Sequence, residues 1–168
     1  MSIDSEILNE FVQESKSLIE ESLDILSDIE SDPGQTKRLE NYGNNVDRIM
    51  GGAKNLAIMV DEKHPLHFIS DYCALCKAVG YKASQIRNNP QFYFVCVALL
   101  LDATETLQDM LGHLDKADHT FKNFLTETFL ERLKWVSEQF GKEYRETVGE
   151  KSLGQNEIDD LLKKLGLG

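Results

Sequence analysis

The chain has 168 residues, enough for one domain and an appendage, and its 41% hydrophobic content is sufficient for a packed core, which excludes global disorder. A net charge of -11 argues against nucleic acid and against anionic membrane surfaces as partners. No run of about 18 apolar residues exists and the start lacks a basic-then-apolar leader, so the expectation is a cytoplasmic protein without membrane insertion, whose three cysteines are reduced thiols.

With only three prolines and abundant Leu, Glu, Lys and Ala, the chain favours helix nearly throughout. A first helix is predicted over about 4–30, with Leu8, Phe11, Leu18, Ile25 and Ile29 on one stripe and Ser15 and Ser22 filling its gaps. Asp32-Pro33-Gly34 breaks it. A second, over about 36–58, carries Leu39, Tyr42, Val46, Ile49, Ala53 and Leu56 in 3-4 alternation. His64-Pro65 opens a third over about 65–87, with Ile69, Tyr72, Cys76, Val79, Ala83 and Ile86. Asn88-Asn89-Pro90 marks the next turn, and Pro90 suits a first helical position. The fourth helix, about 90–115, carries Phe92, Val95, Leu99, Ala103, Leu107, Met110 and Leu114. A fifth, about 118–145, carries Phe121, Phe124, Leu125, Phe129, Leu133, Val136 and Phe140. Short connections between long helices imply an all-α antiparallel bundle occupying 1–145. Residues 146–153 read as linker.

Residues 154–168 form a separate amphipathic segment. Ile158, Leu161, Leu162 and Leu165 fall at i, i+3, i+4 and i+7, on one helical face. Glu157, Asp159 and Asp160 lie near its start and Lys163 and Lys164 near its end, an order that suits the helix dipole. A peptide this short is not a stable helix alone in water. It must fold onto a surface, either a groove on a partner or its own domain, and the five predicted core stripes offer its apolar face no evident counterpart.

The run from Glu157 to Leu167 resembles the C-terminal tail of the CheZ family of chemotaxis phosphatases, which docks on the phosphorylated response regulator CheY. The wider run Leu153 to Leu162 is similar to the N-terminal peptide of the FliM switch proteins, which occupies the same groove. A C-terminal position suits the phosphatase arrangement. The resemblance covers about a tenth of the chain. It implies that Gln155, Glu157, Ile158, Asp159, Leu161, Leu162 and Leu165 contact a phosphorylated CheY-type regulator.

Over roughly residues 5–115 the bundle resembles a histidine phosphotransfer (Hpt) domain. Phe11-Val12-Gln13-Glu14-Ser15 looks like the opening of that domain's first helix, and Val46 to Ala53 sits where the family carries A-H-x-x-K-G-x-A. The implied architecture is a four-helix Hpt-like bundle with a fifth long helix and a tethered C-terminal peptide. Asp47 stands in the phosphorylatable histidine's place and Met50 in the lysine's, so phosphotransfer is expected to be lost. The Gly51-Gly52 patch, by which such a domain admits a receiver, is retained, making Asp47 and Gly51 expected contacts.

Dephosphorylating an aspartyl phosphate asks a helper protein to aim a water in line with the P–O bond, while the receiver supplies its own Mg²⁺; the chain needs no cofactor of its own. A side-chain amide orients water without adding repulsive charge, as in P-loop GTPases. CheZ proteins use an Asp with a Gln four residues later, a pattern absent here. Among all Asn and Gln residues, only Asn44 has an acid four positions before it, Glu40. On a helical wheel Glu40, Asn44, Asp47 and Gly51 fall within about 60° of one another, away from the core stripe. Glu105 and Gln108, flanked by Asp102 and Asp109, are the second candidates; Glu6 and Asn9 share that spacing in the chain's first turns.

Three readings stay open: a phosphatase of the regulator, a non-catalytic pseudo-Hpt adaptor that sequesters it, and an Hpt-like module that docks a chemotaxis kinase or another receiver. Cys73 and Cys76 form a C-x-x-C on the core side of a helix and read as buried thiols rather than metal ligands. His64, His67, His113 and His119 are scattered and form no metal site. Trp135, Phe129 and Phe140 read as core, or as a homodimer seam should the fifth helix run beyond the bundle.

Overall fold

The computed structural model of the chain describes residues 3–114, 121–143 and 155–166. Among these the protein is an all-helical bundle with no strand, built from α1 (Ser5–Ile29), α2 (Arg38–Ala57), α3 (Pro65–Ala83), α4 (Pro90–Leu111), α5 (Glu127–Glu143) and α6 (Gln155–Lys164). No helix among the described residues is long and apolar enough to cross a membrane.

Side chains cap the starts of α1, α3, α4 and α5, while α2 begins without one. The Asp4 carboxylate accepts the Glu6 N–H at 2.8 Å to start α1. Asp32 accepts from the Gly34 N–H and the Gln35 side-chain amide, stopping the chain between α1 and α2. These two hydrogen bonds, the Gln35 amide foremost, hold the Asp32 carboxyl below its ordinary range. His64 Nδ1 accepts the Leu66 N–H at 3.2 Å with Pro65 at the first position of α3. Asn89 caps α4 through the Phe92 N–H at 3.1 Å, after Asn88 has turned the chain with a φ of 58°.

The packing order follows from α1 and α3, each of which seats on both α2 and α4. Glu14 pairs with Arg48 and Asp28 with Arg38, so α1 and α2 run antiparallel. Buried tyrosines tie the remaining seams. Tyr42 meets Thr104 at 2.9 Å, Tyr72 donates to the Ala103 carbonyl at 2.8 Å, and Tyr93 donates to the Ile29 carbonyl at 2.6 Å. Each phenol therefore buries its ring while its hydroxyl keeps a partner. Ser22, buried in the α1 stripe, donates back to Leu18 O at 2.7 Å, which is how a polar residue occupies a core position without an orphan group.

Three boundaries differ from expectation. α3 ends at Ala83 and α4 at Leu111, several residues early, as the backbone tightens to i→i−3 bonds: Gln85 and Ile86 N–H to Lys82 and Ala83 O, and His113 N–H to Met110 O. The fifth helix starts at Glu127 rather than near 118. Thr126 Oγ1 accepts the Phe129 N–H at 3.1 Å and caps it there, while Phe121 to Phe124 form a separate 3₁₀ turn. Phe121 and Phe124 still pack as aromatics, edge-on to each other with centroids 5.5 Å apart. The predicted linker over 146–153 lies outside the described residues.

α6 does not stand apart. It packs against α3 and α5, and Ile158, Leu162 and Leu165 are buried there at 0%, 5% and 3% exposure. The expectation that the tail's apolar face lacks a counterpart in the bundle is thus corrected. α3 supplies it, being apolar on more than one side: Leu75 and Ala78 are buried as well as the predicted Ile69, Tyr72, Cys76, Val79 and Ala83. A helix apolar around most of its circumference packs against more than one layer.

Candidate functional site

α2 carries the first candidate face. Glu40 and Asn44 are exposed one turn apart, and Asp47 lies half-buried one turn further on. The Asp47 carboxylate accepts from Lys77 Nζ of α3 at 2.7 Å, with both side chains about half exposed. A pair at that exposure is worth at most about 1 kcal/mol, so it orients Asp47 more than it stabilises the fold. A methyl group added at Gly51 would meet nothing within 4 Å, which leaves open space over the helix. Gly52 is different: a Cβ there would sit 3.0 Å from the Phe11 ring. The two glycines therefore do not form one approachable patch. Gly52 admits α1, and only Gly51 faces outward.

Beside this face runs a groove of about 580 Å³ between α2, α3 and α6. Met50, Ala74, Ala78 and Leu161 give it apolar walls, and Lys54, Lys77 and Lys164 bring three cations to it, with Asp160 at its edge. Lys77 is paired with Asp47 and Asp160 also lines the groove, so its local charge is close to balanced in a chain of net charge -11. Lys54, Lys77, Ala74 and Ala78 were not singled out in the sequence. Lys77 is 30 positions from Asp47, and no local spacing records that pairing.

The second candidate face lies on α4. Glu105 is exposed and Gln108 half-buried, while Asp102 is paired with Arg132 of α5. The backbone carbonyl of Asp109 meets His113 Nδ1 at 2.7 Å. α2 and α4 each pack on α1 and α3 and meet in the core through Tyr42 and Thr104. Their outward faces diverge, so the structure does not bring Glu40–Asn44 and Glu105–Gln108 into one site. Glu6 and Asn9 are exposed at the start of α1, with Asn9 lining a cleft of about 330 Å³ formed with Leu111, Gly112 and Leu114.

On α6 the expected contact residues divide by side. Ile158, Leu162 and Leu165 face α3 and α5, Leu161 lines the groove half-buried, Asp159 is half-buried and Asp160 exposed. The side chains of Gln155 and Glu157 lie outside the described residues. Gly166, at φ 77°, closes the helix with its N–H on Lys163 O at 2.9 Å, a conformation that glycine adopts without penalty. Lys122 Nζ would stand 3.4 Å from a Cβ at Gly166, which places an ammonium at the C-terminal end of α6, where the helix dipole favours a cation.

The remaining titratable candidates belong to the core. Cys73, Cys76 and Cys96 are buried free thiols. Burial pushes the Cys76 thiol up to about 12 and the other two up as well. Phe129 and Phe140 are buried; Trp135 is 48% exposed and rests edge-on against Phe92, with centroids 6.1 Å apart. No family model, curated protein or solved structure matches the chain with significance.

Proposed function

We propose that the protein is a cytoplasmic chemotaxis protein that captures a phosphorylated CheY-type response regulator through its C-terminal tail and promotes its dephosphorylation. On this reading the architecture is a four-helix, Hpt-like bundle with a fifth helix and a regulator-binding tail. The observation that carries the proposal is the tail itself: an acid-rich, aliphatic helix whose Ile158, Leu162 and Leu165 form one continuous apolar side. A tethered tail also raises the regulator's effective concentration at the bundle to about the millimolar range, so neither contact has to be strong alone.

Chemistry falls to the α2 face. With the regulator seated over Gly51, where the helix is open to close approach, Asn44 orients a water for in-line attack on phosphorus and Glu40 engages a receiver lysine. The P–O bond to the aspartate breaks, releasing inorganic phosphate and the free carboxylate. The receiver's own Mg²⁺ neutralises the phosphoryl oxygens. Asn44 suits the task because its amide is exposed and contributes no charge.

A second reading, the non-catalytic adaptor, is favoured by one specific observation. Asp47, in the place of an Hpt phosphoacceptor, already has its carboxylate bound by Lys77, and the Asp–Gln spacing of CheZ tails' parent domains is missing. Phosphate release separates the two. Regulator loaded from a small phosphodonor is followed with substoichiometric protein; accelerated decay identifies a phosphatase. Unchanged decay together with tight binding identifies an adaptor.

A further inference from the structure

We infer that α6 seated on α3 and α5 is a self-inhibited state of the tail, and that the regulator and the bundle compete for one helical face. The inference rests on the proposed regulator-binding reading. Ile158, Leu162 and Leu165 are the residues that reading assigns to the partner's groove, and all three are buried against this chain's own helices. One apolar stripe cannot occupy two grooves together. Capture of the regulator therefore requires the tail to leave its seat.

The seat has the features of a reversible latch. Ala74 and Ala78, one turn apart on α3, leave room for α6 to approach, and Leu161 lies over the groove they line. Lys122 sits at the C-terminal end of the docked helix. Yet α6 is only 10 residues long and, with Leu165 just past its end, seats three buried aliphatics, so docking must offset the ordering of the whole segment. Such a contact exchanges readily with a competing groove. Closure also affects the bundle, because Asp160, Leu161 and Lys164 of the docked tail form one wall of the groove whose opposite wall includes Met50 and Lys54 of α2. A closed tail withholds the anchor, while Gly51 itself stays open, with nothing within 4 Å of a Cβ there.

Apparent affinity falls by the fraction of molecules that are binding-competent; a tail closed about nine-tenths of the time weakens capture about tenfold. The test leaves the tail's own sequence intact and weakens its seat in the full-length protein. Lys122→Glu places an acid at the negative end of α6, and Ala74→Trp fills the space under it. Lys122 is exposed, so its variant carries little risk to folding. Hydrogen exchange over residues 159–166 reports opening, and titration with phosphorylated regulator reports affinity. The inference expects faster exchange in both variants and roughly tenfold tighter binding. Faster exchange with unchanged affinity overturns self-inhibition while leaving the binding reading intact. Unchanged exchange in both variants overturns the seat as the element holding the tail. If neither the parent protein nor an opened variant binds the regulator, the binding reading itself fails.

Discussion

Replacing Gly51 and Gly52 with alanine, one at a time, is expected to stabilise the protein at Gly51 and not at Gly52. Both lie inside α2, where alanine is favoured over glycine by about 0.8–1 kcal/mol. At Gly51 nothing opposes that gain, since the added methyl meets open space. At Gly52 the methyl arrives 3.0 Å from two carbons of the Phe11 ring, itself packed into the core at 9% exposure. Overpacking of that kind costs roughly 1–3 kcal/mol. Gly52→Ala should therefore range from neutral to about 2 kcal/mol destabilising after the propensity gain is subtracted. The two variants should melt several degrees apart, given roughly 2–4 °C per kcal/mol for a chain of this size. Urea or thermal denaturation of the pair against the parent protein reads the difference directly. Equal stabilisation by both substitutions would show that α1 does not approach α2 at Gly52, and the division of the Gly51-Gly52 pair into one outward and one inward glycine would fall with it.

Asn44→Ala is expected to lower any acceleration of phosphate release by about 10²-fold without changing the melting temperature, because the exposed side chain leaves no cavity; if Gln108→Ala alone removes activity, the chemistry lies on α4. Asp47→His is expected to accept no phosphoryl group from a chemotaxis kinase and ATP, since Met50 stands where the Hpt motif carries its lysine on the same helix and the lysine within reach, Lys77, comes from α3 instead; acid-labile phosphate on that variant would contradict this. The three cysteines are expected to resist alkylation in the folded protein at neutral pH and to react on unfolding. Their raised thiol values also fix a sign: the folded state keeps protons that the unfolded chain loses, so stability is full below the ordinary thiol value of 9.0 and falls as pH rises towards the Cys76 value of about 12. Urea midpoints that rise between those values would contradict the burial of these groups.

The helical character and most helix boundaries were legible because local chemistry records them. Asp32-Pro33-Gly34, His64-Pro65 and Asn89-Pro90 are stop and start signals that need no tertiary information, and Ser15 and Ser22 kept the α1 stripe readable despite their polarity. The start of α5 was not legible from apolar spacing, since Phe121, Phe124, Leu125 and Phe129 satisfy both one continuous helix and a 3₁₀ turn followed by a new one. Thr126, as a cap, was the available signal. The seat of α6 was missed for a different reason. Reading one stripe per helix counted Ile69 to Ile86 on α3 and passed over Leu75 and Ala78, the sign of a second packed side. The Asp47–Lys77 pairing joins two helices across a long separation, and the inward turn of Gly52 depends on where Phe11 lies; neither is written in a local pattern.

The measurement closest to the central claim is a calorimetric titration of the full-length protein with a CheY-type regulator, with and without beryllofluoride as the phosphoryl mimic, repeated on Leu162→Ala. The account predicts binding that strengthens markedly in the activated form and weakens in the variant, whose missing aliphatic anchor is worth roughly 1.5–3 kcal/mol, less the up to about tenfold returned because the same truncation loosens the tail's own seat. Binding that ignores the activation state, or that survives Leu162→Ala undiminished, would contradict it.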